Sequence, residues 1–175
     1  MSDCVHPCPC GYYGDSQKPC TCAHALVTKY QKRISGPLLD RIDIHIEVPR
    51  VDYEKLSEDR MGESSEAIRA RVQAARNIQQ ARFTNPESRI SNNGSSTDNV
   101  CNADMRVGEI RQYCKLQDEG QSLMRAAMTQ LDLSARAYHR ILKLARTIAD
   151  LAGSEEIQSV HLAEALQYRS KMVVA

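Results

Sequence analysis

The sequence predicts a mainly α-helical chain in which a cysteine-rich loop module and a single strand precede a helical bundle. Three observations carry this reading. Aromatic residues make up 5% of the 175, with no Trp and one Phe, so the core must be built from Leu, Ile, Val, Ala and Met. That composition favours helix packing over an aromatic-rich sandwich. Five of the seven cysteines crowd into the first 22 residues among Pro and Gly, without periodicity, as in a loop-built module. From Ser64 onward the apolar residues recur at helical spacing.

After the loop module of residues 1–22, a short helix is expected from Ala23 to Arg33, then a turn at Ser35-Gly36-Pro37 and a one-turn helix through Leu38 to Arg41. An alternating strand follows, with Ile42, Ile44, Ile46 and Val48 on one face and Asp43, His45 and Glu47 on the other. Pro49 ends it, because proline cannot donate to a ladder. A lone strand leaves its backbone groups unpaired, and no other segment reads as its partner. The chain is therefore expected to be the C-terminal piece of a larger α/β protein.

Residues 1–50 form the first region and 51–63 a linker, and 64–170 form a small helical bundle. Its first helix, Ser65 to Phe83, carries Ile68, Val72, Ala75 and Ile78 at near-helical spacing. Residues 84–99 are rich in Asn, Gly and Ser and are expected to be a mobile loop. Helices follow at about 102–115, 119–131, 134–152 and 159–169, with Asp118 and Gln121 as a capping-box variant opening the second. The third is the clearest: Tyr138, Ile141, Leu142, Ala145, Ile148, Ala149 and Ala152 share one face, and Gly153 stops it.

Lys and Arg number 23 against 22 Asp and Glu, so no strongly basic domain advertises a nucleic-acid partner and any such surface must come from local segregation of charge. The helix at 65–83 is the candidate, with Arg69, Arg71, Arg76 and Arg82, and Arg89 just beyond. It reads either as a solvated face or as a phosphate contact. No apolar run approaches the roughly 18–20 residues of a membrane span, and the N-terminus has no signal-peptide pattern. A cytoplasmic protein is expected. Met105, Met124 and Met128 read as core, whereas His45, His139 and His161 read as surface or helix-face residues.

Cys8-x-Cys10 and Cys20-x-Cys22 supply four thiols, with Gly11, Gly14 and Pro19 between the pairs to turn the chain. Four thiolates suit a tetrahedral structural Zn²⁺ and leave no open position for catalysis. The alternative is a set of reduced structural thiols or an oxidised artefact of isolation. Cys4, His6 and His24 are possible substitute ligands. Arg41 stands between Asp40 and Asp43 just before the strand. It reads as a local ion pair or as a guanidinium presented to another subunit's γ-phosphate.

Three stretches carry a resemblance: His6-Pro7-Cys8-Pro9-Cys10-Gly11-Tyr12-Tyr13-Gly14 with Cys20-Thr21-Cys22, Tyr30 through Asp43, and Leu133-Ser134-Ala135-Arg136-Ala137-Tyr138-His139-Arg140 through Leu151. Together they resemble the magnesium-chelatase-like ComM/YifB family of AAA+ ATPases. The resemblance implies that residues 1–50 are the distal end of an AAA+ core and that 64–170 are its helical lid. Arg41 would be an arginine finger acting in trans, and Arg136 a sensor-2 arginine reporting the nucleotide to the lid. Arg136 otherwise reads as part of a polar face shared with Arg140 and Lys143. The family usually has Asn for sensor 1 where this chain has His6.

The parent protein is then expected to be a ring-forming ATPase, a hexamer, using ATP and Mg²⁺ to remodel DNA or migrate branches in competence, with no membrane partner. No G-x-x-x-x-G-K-[ST] and no Walker B pair occurs here, so this chain alone is expected neither to bind ATP tightly nor to hydrolyse it. Two alternatives stand beside this: a zinc-stabilised adaptor, and a chelatase-type motor for metal insertion.

Overall fold

The computed structural model describes residues 6–15, 17–39, 41–48, 51, 53, 57, 62–84 and 101–169. Apart from Thr84, the expected loop at 84–99 lies outside the described residues, as do Arg89, Cys4, Asp40 and most of the expected linker. Among the described residues there are seven α-helices and one 3₁₀ turn. The chain divides into two compact units, with the boundary between Asp59 and Arg60.

In the first unit, α1 (His24–Gln31) and the single-turn α2 (Gly36–Leu39) follow the cysteine module. Pro37 lies in the first turn of α2, where a missing N–H costs nothing. The strand expected at Ile42–Val48 is not formed: no strand is assigned there. Ile42, Ile44, Ile46 and Val48 are 37–82% exposed. Alternation supplies the two faces of a strand, but a ladder needs a neighbour, and none is present among the described residues.

The second unit is a helical bundle. It consists of α3 (Ser65–Thr84), the 3₁₀ turn Asn102–Asp104, α4 (Val107–Tyr113), α5 (Asp118–Gln130), α6 (Ala135–Leu151) and α7 (Ser159–Gln167). The central helix is α6, which packs on α3, α4, α7 and the 3₁₀ turn, while α5 packs on α7. A parallel bridge between Leu116 and Ile157 ties the segment before α5 to the one before α7. Ala137, Ala145 and Ala149 of α6 are fully buried, and their small side chains let neighbouring elements approach the α6 backbone. Ile141, Leu142, Leu162 and Ile157 fill the space between. Each such aliphatic side chain stabilises the unit by about 1.5–3 kcal/mol. Met105 and Met124 are buried and Met128 packs against them, as expected.

The ends of α6 are closed by short-range chemistry. Ser134 Oγ accepts the Ala137 N–H at 3.2 Å. Beyond the C-terminus Gly153 sits at φ +66°. Its N–H bonds Asp150 O at 3.1 Å while Ser154 N–H bonds Ala149 O at 2.8 Å, the Schellman closure. The capping box expected at Asp118 and Gln121 is not formed. Asp118 is the first helical residue, and the Gln121 amide donates instead to Leu116 O at 3.1 Å. His161 also departs from expectation. It is buried, and its Nδ1 accepts the Gln158 N–H at 3.2 Å, closing the start of α7.

Helix α3 buries only the C-terminal part of the stripe its apolar pattern marks. Residues 65–74 are all exposed, and Ile68, Val72 and Ile78 stay about 40% exposed, while Ala75 and Gln79 are buried. Arg82 continues the stripe of Ala75 and Gln79 one turn further on. Its guanidinium forks onto Asp150 of α6, at 2.9 Å to Oδ2 and 2.5 Å to Oδ1, and donates to Asn102 Oδ1 at 2.7 Å. Asn102 Nδ2 also donates to Asp150 Oδ2 at 2.7 Å, and Arg146 Nε donates to Oδ1 at 3.0 Å.

Removing the carboxylate would strand two arginines at a dry site. Asp150→Ala is expected to destabilise the bundle by about 3–5 kcal/mol, read as a lower urea midpoint by far-UV circular dichroism. An unchanged midpoint would refute this account of the network. Gly153→Ala should cost about 1–2 kcal/mol from its positive φ alone, because nothing lies within 4 Å of an added Cβ.

Candidate functional site

The cysteine module folds on local turns. Gly11 N–H bonds Cys8 O at 3.0 Å, and Asp15 N–H bonds Tyr12 O at 3.2 Å. The first turn requires φ +81° at Gly11, a conformation only glycine adopts freely. Asp15 Oδ1 then accepts the Gln17 and Lys18 N–H groups at 2.8 and 3.0 Å, which returns the chain toward Cys20. Gln31 of α1 donates from Nε2 to Pro7 O at 3.2 Å, fastening the helix to the loop.

These turns bring together the four predicted cysteines. Cys8 Sγ lies 3.3 Å from Cys10 Sγ and 3.7 Å from Cys20 Sγ, and Cys10 and Cys20 are 3.5 Å apart. All four sulfurs, Cys22 included, are within 4.8 Å of one another. A disulfide would hold two of them at about 2.05 Å, and all four are free thiols. A tetrahedron of sulfurs at 2.3 Å from a central Zn²⁺ has edges of about 3.8 Å. The cage therefore fits a four-coordinate ion, and a closed S₄ set leaves no position for a substrate or water. His6 and His24 are not members of this cluster; His6 instead places its ring beside Gly11.

Two further properties bear on a metal. The described part of the first unit has almost no apolar core: Cys8 and Val27 are its buried residues. A fold this thin needs a staple. The thiols also differ sharply in acidity. The Tyr12 backbone N–H, followed by the Cys8 thiol, brings Cys10 down to about 6. At Cys20 the Cys22 N–H acts in the same direction, but desolvation and the Cys10 and Cys8 sulfurs outweigh it and push the thiol up to about 12. Cys22 is raised too, where desolvation and the Cys10 sulfur overcome the Cys10 N–H. A bound cation would favour the thiolate at each of the four.

The predicted arginines fall in different units. Arg41 belongs to the first, on the compact turn closing α2, where its N–H bonds Leu38 O at 2.9 Å and the next residue's N–H bonds Leu39 O at 3.1 Å. Its side chain is exposed. Arg136 belongs to the second unit, exposed in the first turn of α6 just after the Ser134 cap. Lys143, expected on the same polar face, is occupied with Ala103 O at 2.7 Å.

The basic helix expected at 65–83 is only partly basic in effect. Arg71 is engaged by Glu63 at 3.0 Å, and Arg82 is committed to Asp150. What residue spacing did not reveal is the Arg82–Asn102–Arg146–Asp150 network. Its one local signal is the i, i+4 spacing of Arg146 and Asp150, a spacing that is far commoner on exposed faces.

Residues 62–169 match the family described as magnesium chelatase, subunit ChlI C-terminal, and residues 3–56 match the one described as magnesium chelatase, subunit ChlI. That fixes the class. The chain is 39% identical over 168 residues to competence protein ComM of Haemophilus influenzae, covering 95% of this chain and 30% of that protein. It is 38% identical over 167 residues to YifB of Escherichia coli and 35% identical over 167 to YifB of Salmonella typhimurium, with the same coverage. The chain belongs to the magnesium-chelatase-like ComM family, as its C-terminal part. It spans about 30% of the length of these relatives. No described helix is long and apolar enough to cross a membrane.

Metal content tests the cage. One zinc per chain is expected, with affinity falling as pH falls, because protons compete for the thiolates. At neutral pH binding should release protons from Cys20 and Cys22, whose pKa values are raised. Calorimetry in buffers of different ionisation enthalpy reads that release. Cys10→Ser should weaken binding by more than the roughly 10–100-fold that an outer-shell loss costs. Chelation should perturb the first unit and leave the helicity of 62–169 in place.

Proposed function

We propose that this chain is the distal end and helical lid of a ring-forming AAA+ ATPase that couples ATP hydrolysis to DNA remodelling. The observation that carries the reading is Arg136: an exposed guanidinium in the first turn of the best-packed helix, within the stretch that matches the chelatase C-terminal family. A cation there can meet a phosphate and pass its position to the bundle through a rigid helix. Arg41, exposed on its turn in the other unit, acts as the finger on a neighbouring subunit's ATP and stabilises charge spread over the transferred phosphoryl oxygens. His6 stands where the family usually has the sensor-1 Asn, a departure from the family's pattern, and its ring lies beside Gly11.

In this mechanism nucleotide binding draws on Arg136 and shifts the bundle as one body, and Arg41 completes the site in trans. Zn²⁺ on Cys8, Cys10, Cys20 and Cys22 acts structurally, holding the module that precedes α1. ATP and Mg²⁺ bind to parts of the longer protein outside this chain. DNA as substrate is supported by the similarity to a competence protein. Metal insertion is the second reading, because the matching family is described as magnesium chelatase.

The test uses the longer protein. Arg41→Ala and Arg136→Ala are each expected to lower ATP turnover by 10²-fold or more, on the order of an arginine-finger loss. Arg41→Ala subunits should recover turnover when mixed with subunits that lack the ATP site, because the finger acts across the interface. Unchanged turnover in both variants would refute the motor reading. Strand displacement without stimulated metal insertion decides between the two substrates.

A further inference from the structure

The near-neutral charge of the whole chain conceals a segregated stretch. Residues 16–39 contain no Asp or Glu but carry Lys18, Lys29, Lys32 and Arg33. Three of these cluster at the C-terminal end of α1, at i, i+3 and i+4, and all three are exposed. No ion pair holds any of them among the described residues. Helix 24–31 turns Val27 inward, the one residue of the helix that is buried. Leu26, Lys29 and Tyr30 recur at i, i+3 and i+4 along another face, and Lys32 and Arg33 follow on the turn beyond the helix. The Arg33 guanidinium lies over the Tyr30 ring at 5.5 Å. Tyr13, 45% exposed, is a second ring of the module open to solvent.

We propose that the C-terminal end of α1 and the turn after it form a binding surface for single-stranded nucleic acid, with Lys29 and Lys32 on backbone phosphates and the Arg33–Tyr30 stack presenting a plane to a base. Cations interleaved with aromatic planes are what a flexible strand requires: phosphates supply attraction and unpaired bases supply stacking. A duplex hides its bases and would use only the cations. The other basic helix fits less well. On α3, Arg71 and Arg82 are already paired with acids, and Glu66 shares a helical stripe with Arg69. Four thiolates around Zn²⁺ add a formal charge of about −2, so the surface rests on the local cluster of α1 and not on the net charge of the module.

This surface deepens the nucleic-acid part of the proposed function. The test is fluorescence anisotropy with the full 175-residue, zinc-loaded chain and labelled oligo-dT, oligo-rU and a duplex of mixed sequence. Single strands are expected to bind more tightly than the duplex. Equal affinity for dT and rU assigns the surface to strands of either sugar; a preference names the sugar. Lys29→Glu with Lys32→Glu should weaken strand binding at least 10-fold with zinc content and helicity retained. The milder Lys29→Gln with Lys32→Gln should lower the slope of log K against log salt by about 1.4, two contacts at about 0.7 each, and it decides the matter if the charge reversal disturbs folding.

Unchanged binding in both variants overturns this surface and leaves DNA as the motor's substrate intact. Tighter binding of the duplex overturns the single-strand assignment. No binding of any strand also overturns the surface, and DNA-stimulated turnover of the longer protein then judges the proposed function independently.

Discussion

Asp150 accepts four hydrogen bonds at a site where its side chain has no exposed surface, two from Arg82 and one each from Arg146 and Asn102. Four donors fill the lone-pair positions of an ionised carboxylate. Arg146 donates from Nη1 and Nη2 to Glu155 O and Ser154 O, at 2.8 and 2.6 Å. Those carbonyls follow the C-terminus of α6, where a cation is favoured. No buried side-chain polar atom among the described residues lacks a partner. A buried charge cluster is no guarantee of stability against an apolar one. What it supplies here is specificity: it ties the C-terminal end of α3, the 3₁₀ turn and the end of α6 together in one arrangement.

That anchor marks the half of α3 that packs on the bundle. Ile68, Val72, Ala75, Gln79 and Arg82 follow one stripe at i, i+4, i+7, i+11 and i+14. Its C-terminal half is covered, with Ala75 and Gln79 buried and Arg82 on Asp150, and the first half of the helix is solvent-exposed. Leaving two arginines and one carboxylate desolvated and unpaired would cost several kcal/mol, more than one half-exposed Ile contributes.

The two units are held by different physics. The helical unit is a packed aliphatic core around α6, tight enough that three alanines of that helix have no exposed surface. The first unit buries almost nothing apolar and relies on turns that converge four sulfurs. A protein assembled this way can respond locally. An ion bound by the four sulfurs would brace the module, and the bundle, with its own core, has no need of it. The same division separates the two arginines, Arg41 on a turn and Arg136 on a rigid helix.

The helices and the cysteine cluster follow from local sequence. The period of α6, its Gly153 stop and the C-x-C pairs are local signals, set by residues within a turn or two of each other, and the structure forms each of them. The motifs at Tyr30–Asp43 and Leu133–Leu151 were also legible, since they are contiguous, and the family match covers both. The remaining features depend on contacts between segments far apart in the chain. Ile42–Val48 alternates like a strand, but pairing depends on a second segment that spacing cannot supply. His161 looked like a surface residue until the packing of α7 buried it. Arg82 and Asp150 lie 68 residues apart, and nothing local distinguishes a surface arginine from one that orients a helix. That choice is made by desolvation, which exists only once the chain has closed around it.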